Sequence, residues 1–318
     1  RTRSPTSAGG RSRAVTVQWA RHRDRLYAFL SLLPSLVLVF VFVYLLIGWN
    51  TVIAFSKWSG MEMDLSFNGL TNFVELFQNE RFQIGMKNMG VFALAFISGC
   101  IAIGFVLALL LDQSLRAEGF FRNLYIYPLA ISLVVTGVIW RWLFTPGSEQ
   151  TGWVGLNQLF DYLGLDFLKS GWHTSEKFGI VAVAIAAIWQ MSGYVMAMYL
   201  AAIRNIPVEL KEAAVIDGAS ASAYYLRVVI PLVRTTTVSA VVILGHIALR
   251  VFDLIASMTG SGKGFITDVP AYYMWQTSFQ GNRFNRGAAI AVVLLVLISA
   301  LVIPYIVRTY RTSDEQSG

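Results

Sequence analysis

Six apolar stretches, each about as long as a helix needs to cross a bilayer, leave this chain few ways to fold. They run from Leu26 to Trp49, Asn88 to Leu111, Asn123 to Trp140, Phe178 to Ile203, Thr235 to Ala256 and Gly287 to Val307. A helix rises about 1.5 Å per residue and crosses the hydrocarbon with about 20 apolar residues, so each stretch can span with ordinary tilt. Lipid offers no partner to a backbone N–H or C=O, which rules out open sheet and irregular chain across such stretches. The expected fold class is therefore an all-α integral membrane protein with six transmembrane helices. Apolar residues make up 56% of the 318 positions, charged residues 14%, and the mean hydropathy is +0.59, above what a soluble core requires. Pro34, Pro128 and Pro304 fall inside spans one, three and six, where neighbouring helices can accommodate a kink.

Charge sets the expected orientation. Arg1, Arg3, Arg11, Arg13, Arg21, Arg23 and Arg25 stand against Asp24 alone before the first span, which favours keeping that arm in the cytoplasm. Six spans return the C-terminus to the same side, beside Arg308 and Arg311. The expected organisation is a basic cytoplasmic arm over 1–25, a six-helix transmembrane domain over 26–308 and a cytoplasmic tail over 309–318. The net charge of +7 is explained by the arm facing an anionic leaflet, so no nucleic-acid partner is needed. Arg1 in place of an initiating Met points to a trimmed or processed chain, and Cys100 lies alone within an apolar run, so no internal disulfide can form.

This topology leaves cytoplasmic connections at 112–122 and 204–234 and external ones at 50–87, 141–177 and 257–286. The 204–234 segment is a polar island between two spans. Pro207 suits a first helical turn, Glu209 complements the helix dipole, Leu210 to Ala214 are good helix formers, and Gly218 permits a turn. A short helix on the cytoplasmic surface, able to receive force from a soluble partner, follows from that pattern. An amphipathic interfacial helix with no partner is the plainer reading, but such helices carry a larger basic and apolar face.

Ile206-Pro207, Glu212-Ala213-Ala214, Asp217-Gly218-Ala219 and Ile230-Pro231-Leu232 together resemble the EAA signature of bacterial ABC importer permeases of the carbohydrate-uptake family, the maltose and glucose type. Phe252-Asp253, Thr259-Gly260, Thr267-Asp268 and Gly287-Ala288-Ala289 look like further blocks of the same permeases, so the resemblance covers about residues 85 to 308. It implies a multi-pass protein of the bacterial inner membrane. It also implies a second, different permease as partner, with this chain resembling the first of the pair, two copies of a cytoplasmic ATPase and an extracytoplasmic sugar-binding protein. Glu212 would offer a charge or acceptor to the ATPase groove, Ala213 and Ala214 close packing, Gly218 the turn, and Asp217 a local cap or pair.

No engine is expected in the chain itself. The run Gly260-Ser-Gly262-Lys263-Gly264 fails as a phosphate loop, because Ser257 and Gly264 stand where Gly and Ser or Thr are needed. His22, His173 and His246 lie in three different regions, without the neighbours a metal site requires. The resemblance therefore implies no enzyme activity and no cofactor here, with ATP and Mg held by partner subunits.

Polar residues inside spans mark the expected pathway. On the fifth span His246, Arg250 and Asp253 are spaced four and three apart and are expected on one helix face, for sugar contact or gating. The alternative is an Arg250–Asp253 pair that locks the helix to a neighbour, and Asp253 leans towards that structural role. Trp189, Gln190 and Tyr194 on the fourth span offer an aromatic plane beside amide and hydroxyl groups, apt for a sugar, although helix packing accounts for them nearly as well. Family impression favours glucose, mannose or small glucosides. A glycerol phosphate or polyol permease would want more cationic lining than Arg250, and an ion-coupled transporter would want buried acids in several spans.

Overall fold

The computed structural model describes residues 29–113, 116–148 and 152–317, with side chains up to residue 307. The basic arm over 1–25 lies outside the described residues. Within them the fold is all-helical, with two isolated bridges, Ser56 with Phe67 and Ser148 with Gly152. Four helices are long and apolar enough to cross a membrane, and six spans result if each of two bent helix pairs counts as one.

The chain divides at Val52 into two compact units. The first is helix α1 (Phe29–Ala54) short of its last turn. Its apolar side chains are exposed all round, the pattern of a helix solvated by lipid. A π-helical turn, Phe40–Leu45, lies within it. Ser35 and Thr51 direct their hydroxyls back to the carbonyls of Leu32 and Ile47, at 2.7 and 2.8 Å, so neither presents an unbonded group to hydrocarbon.

The second unit starts at Ile53. Its first elements are α2 (Thr71–Gln78) and the long α3 (Glu80–Asp112), which Asn79 caps by accepting from the Phe82 N–H. Then come α4 (Glu118–Ile126), α5 (Leu133–Leu143), α6 (Gly155–Tyr162) and α7 (Gly179–Arg204). α8 (Val208–Ile216), α9 (Ala221–Leu232), α10 (Arg234–Leu249), α11 (Asp253–Met258), α12 (Pro270–Trp275) and α13 (Phe284–Ser317) complete it. The last helix runs on through the segment expected as a separate tail.

α3 and α7 form the most extensive helix pair and run parallel. Gly99 faces Ile188, Gly104 faces Val195, and Arg204 Nη2 donates to the Leu111 carbonyl at 3.3 Å. A Cβ on Gly104 would stand 2.8 Å from Val195 Cβ and 2.9 Å from the Met196 nitrogen, so the small residue is what lets the helices meet. α10 runs against them. Tyr199 donates to Thr237 at 2.9 Å, while Ser239 and Tyr305 share a 2.8 Å hydrogen bond and Gly245 faces Leu301, one helix running up as the other runs down. Consequently α8 lies at the end where α3 and α7 finish, and the connections before α3, α7 and α13 gather at the opposite end.

Two expected spans are broken. The third does not run straight from Asn123 to Trp140: α4 passes into a 3-10 turn, Tyr127–Ala130, and α5 leaves at 100°. Pro128 lies in that turn, Ile131 is extended at φ −82°, ψ 137°, and Ser132 starts α5 afresh by accepting from the Val135 N–H at 3.3 Å. The fifth is bent by 62° between α9 and α10 and stops at Leu249 rather than Ala256. Pro231 has no N–H to give Arg227, and a π turn at Tyr225–Val229 absorbs the mismatch before Val233 turns the chain.

The end opposite α8 is knitted by polar side chains. Asn72, nearly buried, donates to the carbonyls of Ala54 and Ser56 at 2.8 Å each and accepts from Asn285 at 3.0 Å. Arg81 at the start of α3 bonds the fully buried Asp268 at 2.5 Å, its guanidinium lying 4.7 Å from the Phe265 ring and 4.5 Å from the Tyr273 ring. Asn88 completes the clamp by donating to the carbonyls of Phe265 and Asp268. Burial raises the Asp268 pKa above the ordinary carboxylate value, opposed by Arg81 and by the Val269 N–H.

Candidate functional site

A cavity of about 580 Å³ lies between α3, α7, the third-span break and the interruption between α10 and α11. Phe92 and Phe96 of α3, stacked at 5.5 Å and 18°, form one wall. Ile131 and Leu133 at the third-span break form another, and Arg250, Phe252 and Asp253 after α10 a third. Gln190 enters from α7. Its Nε2 donates to the Ile131 carbonyl at 2.5 Å, a carbonyl the break leaves outside any helix. Its Oε1 is buried and accepts nothing within the protein. The exposed Arg250 and Asp253 side chains beside an aromatic wall suit a hydroxylated ring, which presents O–H groups at its edge and C–H groups on its face.

Asp253 does not continue the helix face of His246 and Arg250. Arg250 follows the last residue of α10 with φ −116° and ψ 19°, Phe252 sits at φ −131° and ψ −58°, and Asp253 opens α11. No Gly or Pro makes this break. Backbone released within a span is tolerated where it lines a cavity, and residues 250 to 253 all line one. The interruption delivers both exposed charged side chains to the cavity, and among the described residues neither forms an ion pair. The locking Arg250–Asp253 pair is therefore absent.

Of the residues singled out in the sequence, Gln190, Arg250 and Asp253 meet here, while Trp189, Tyr194 and His246 do not line the cavity. Trp189 packs edge-on to Trp140 at 5.9 Å, Tyr194 leans on the main apolar core and His246 is half-buried on α10. Phe92, Phe96, Ile131 and Phe252 were not anticipated. The Phe92 and Phe96 spacing of four was readable as one helix face, but nothing in the sequence set it apart from ordinary packing.

At the far end of α7, α8 presents Glu212 and Ala213 to solvent, with Ala214 half-buried. Pro207 precedes its first turn at φ −55° and ψ 135°. Asp217 follows its last residue, and Gly218 at φ +74° closes it: the Gly218 N–H bonds the Val215 carbonyl at 3.0 Å and the Ala219 N–H bonds the Ala214 carbonyl at 2.9 Å. Ser220 then caps α9 through the Ala223 N–H. Val208, Val215 and Ile216 are exposed, Ile216 by 84%, and no residue of α8 is buried. Large apolar side chains held outward on a well-capped helix mark a contact surface for another molecule.

The family described as the binding-protein-dependent transport system inner membrane component matches residues 100–311. A probable ABC transporter permease protein of Pyrococcus horikoshii is 41% identical over 294 residues, covering 92% of this chain and 99% of the relative. A xylose/arabinose import permease protein of Haloferax volcanii is 33% identical over 279 residues, covering 86% and 85%. Among solved structures, a bacterial ABC transporter involved in the import of the acidic polysaccharide alginate superposes with a TM-score of 0.77 at 22% identity, over 92% of this chain and 98% of that one, a likeness of fold. The chain belongs to the permease family of binding-protein-dependent ABC transport systems, as the EAA-like segment had implied.

Proposed function

We propose that this chain is the sugar-conducting permease subunit of an ATP-driven importer in the bacterial inner membrane. It pairs with a second, different permease, and two copies of a cytoplasmic ATPase, carrying ATP and Mg, act on the pair from below. An extracytoplasmic binding protein loads it from outside. Both termini and α8 face the cytoplasm in this reading, and the protein hydrolyses nothing itself. The exposed Arg250 and Asp253 side chains beside the Phe92 and Phe96 wall carry the sugar assignment, and the relative named for xylose and arabinose supports it.

The residues divide the work. Gln190 holds the third-span break through Ile131 and, where it lines the cavity, contacts the sugar. Arg250 and Asp253, three residues apart and without an ion pair among the described residues, offer one donor group and one acceptor group to further hydroxyls. A single cation beside a carboxylate is a poor host for a phosphate dianion, which disfavours glycerol phosphate. α8 enters the ATPase groove through Glu212, Ala213 and Ala214, with Asp217 and Gly218 setting its end, so that movement of the ATPases reaches α7 and α10 through their shared connection. The test is a panel of pentoses, hexoses, glucosides and sugar phosphates, scored for stimulation of ATP hydrolysis by the reconstituted complex with its binding protein. Stimulation by a neutral sugar supports the assignment, and stimulation confined to phosphorylated or non-sugar solutes refutes it.

A further inference from the structure

A second cavity, of about 440 Å³, opens at the end opposite α8. Its wall brings together Arg81, Arg283 and Arg286 with Gln276, Gln280 and Tyr273. Arg81 is paired with Asp268, and Arg286 with Glu75 at 2.8 Å, but neither carboxylate lines the cavity, and Arg283 has no ion pair among the described residues. The site thus presents three guanidinium groups to two carboxylates, one positive charge in excess. Gln276 spends its amide oxygen on Arg81 and its nitrogen on Gln280 at 3.2 Å, which leaves the Gln280 amide nitrogen as another donor. Such a wall is rich in donors and poor in acceptors, the complement of a carboxylate.

The presentation of Arg283 is built into the backbone. A π-helical turn, Gln276–Gln280, aims both glutamines at the cavity, and such turns recur at functional sites. Asn282 takes φ 50°, its carbonyl accepts from the Gly60 N–H at 2.7 Å, and the Arg283 N–H bonds the Thr277 carbonyl at 2.9 Å. The exposed guanidinium therefore stands on a pinned turn. Along α3, Arg81 precedes Phe92 by eleven residues, about 16 Å at 1.5 Å per residue, so this cavity lies at the rim and not in the sugar chamber.

We infer that the Arg81–Arg283–Arg286 cavity is a docking socket for an acidic side chain of the extracytoplasmic binding protein. This rests on the reading of the chain as a binding-protein-fed importer. The excess charge speeds encounter and fixes register, and the bidentate fork of Arg283 receives the incoming Asp or Glu once the two surfaces meet.

The experiment measures affinity of the purified binding protein for the complete transporter in nanodiscs, at low and moderate salt. Arg283→Glu is expected to weaken binding about tenfold or more at low salt, and Arg283→Lys to retain most of it. Gln280→Glu, which supplies an internal carboxylate to the socket, is expected to weaken it as well. Replacing acidic rim residues of the binding protein by Lys one at a time is expected to restore Arg283→Glu at one position. Equal affinity of wild type and Arg283→Glu overturns the socket while leaving the importer reading intact. Failure of the wild-type complex to bind any binding protein overturns both. Binding of free galacturonate that depends on Arg283, with binding-protein affinity unchanged, makes the cavity a solute site and also overturns the proposal.

Discussion

Gln190 Nε2 donates to the carbonyl of Ile131 at 2.5 Å and so ties α7 to the extended pair Ile131-Ser132 between the halves of the third span. The same side chain lines the cavity, and its Oε1 is buried without a partner within the protein. Two roles on one side chain can be separated. Gln190→Glu keeps an acceptor and loses the donor to Ile131, whereas Gln190→Leu loses both. The sugar concentration giving half-maximal ATPase stimulation should rise about tenfold for Gln190→Leu, the loss of roughly one buried hydrogen bond. An unchanged value removes Gln190 from sugar contact.

Arg250 should govern selectivity more than folding, because it is exposed to the cavity and lacks an ion pair. Arg250→Ala is expected to change the ranking of sugars in an uptake panel while leaving the yield of folded protein near wild type. The reverse pattern, the same ranking with a collapsed yield, would make Arg250 a structural residue.

Gly193 lies beside this region on α7. A Cβ built there would stand 1.9 Å from the Tyr125 carbonyl oxygen, which is backbone and cannot swing aside. Gly193→Ala should lower stability by about 1–3 kcal/mol through forced separation of α4 and α7. Thermal unfolding in detergent measures it, and a wild-type midpoint would contradict the packing described.

The Arg81–Asp268 pair predicts a pH signature. Burial holds the folded Asp268 pKa above its unfolded value, so its contribution to stability is fully present below the unfolded pKa and is lost as pH rises through the folded one. Arg81 opposes that rise. Arg81→Gln removes the opposition and should cost about 3 kcal/mol at neutral pH, where a buried carboxylate loses its partner. The deficit should shrink below about pH 4, where Asp268 is protonated in either protein. Unfolding midpoints of both proteins across that range show whether the gap narrows on acidification, and a pH-independent gap would assign the effect to lost packing of the guanidinium on Phe265 and Tyr273.

Much of this was readable before any coordinates. Apolar runs located the long helices, and Pro207 and Gly218 marked the start and end of α8, because capping and positive φ are local requirements. The breaks were harder to see. Pro128 reads in the sequence as a kink within one span, because the Ile131 carbonyl is held by Gln190, a residue distant in sequence. The stop at Leu249 has no local breaker, and Arg250-Val-Phe-Asp253 reads as helix until the cavity beside it is known. A period of 3.6 residues therefore puts Asp253 on one face with His246 and Arg250, a face that the break after Leu249 interrupts. The Arg81–Asp268 clamp likewise joins positions whose pairing only tertiary structure reveals.

Coupling through α8 is the central claim. The most direct measurement is sugar-stimulated ATP hydrolysis by the reconstituted complex carrying Glu212→Lys or Gly218→Trp. Both positions are exposed, so the spans should insert and pack as before; Gly218→Trp strains the positive-φ turn that ends α8, while Glu212→Lys leaves the helix backbone intact and isolates the contact itself. The account expects inserted, assembled complexes whose hydrolysis no longer responds to sugar and binding protein, and wild-type stimulation in both variants would contradict it.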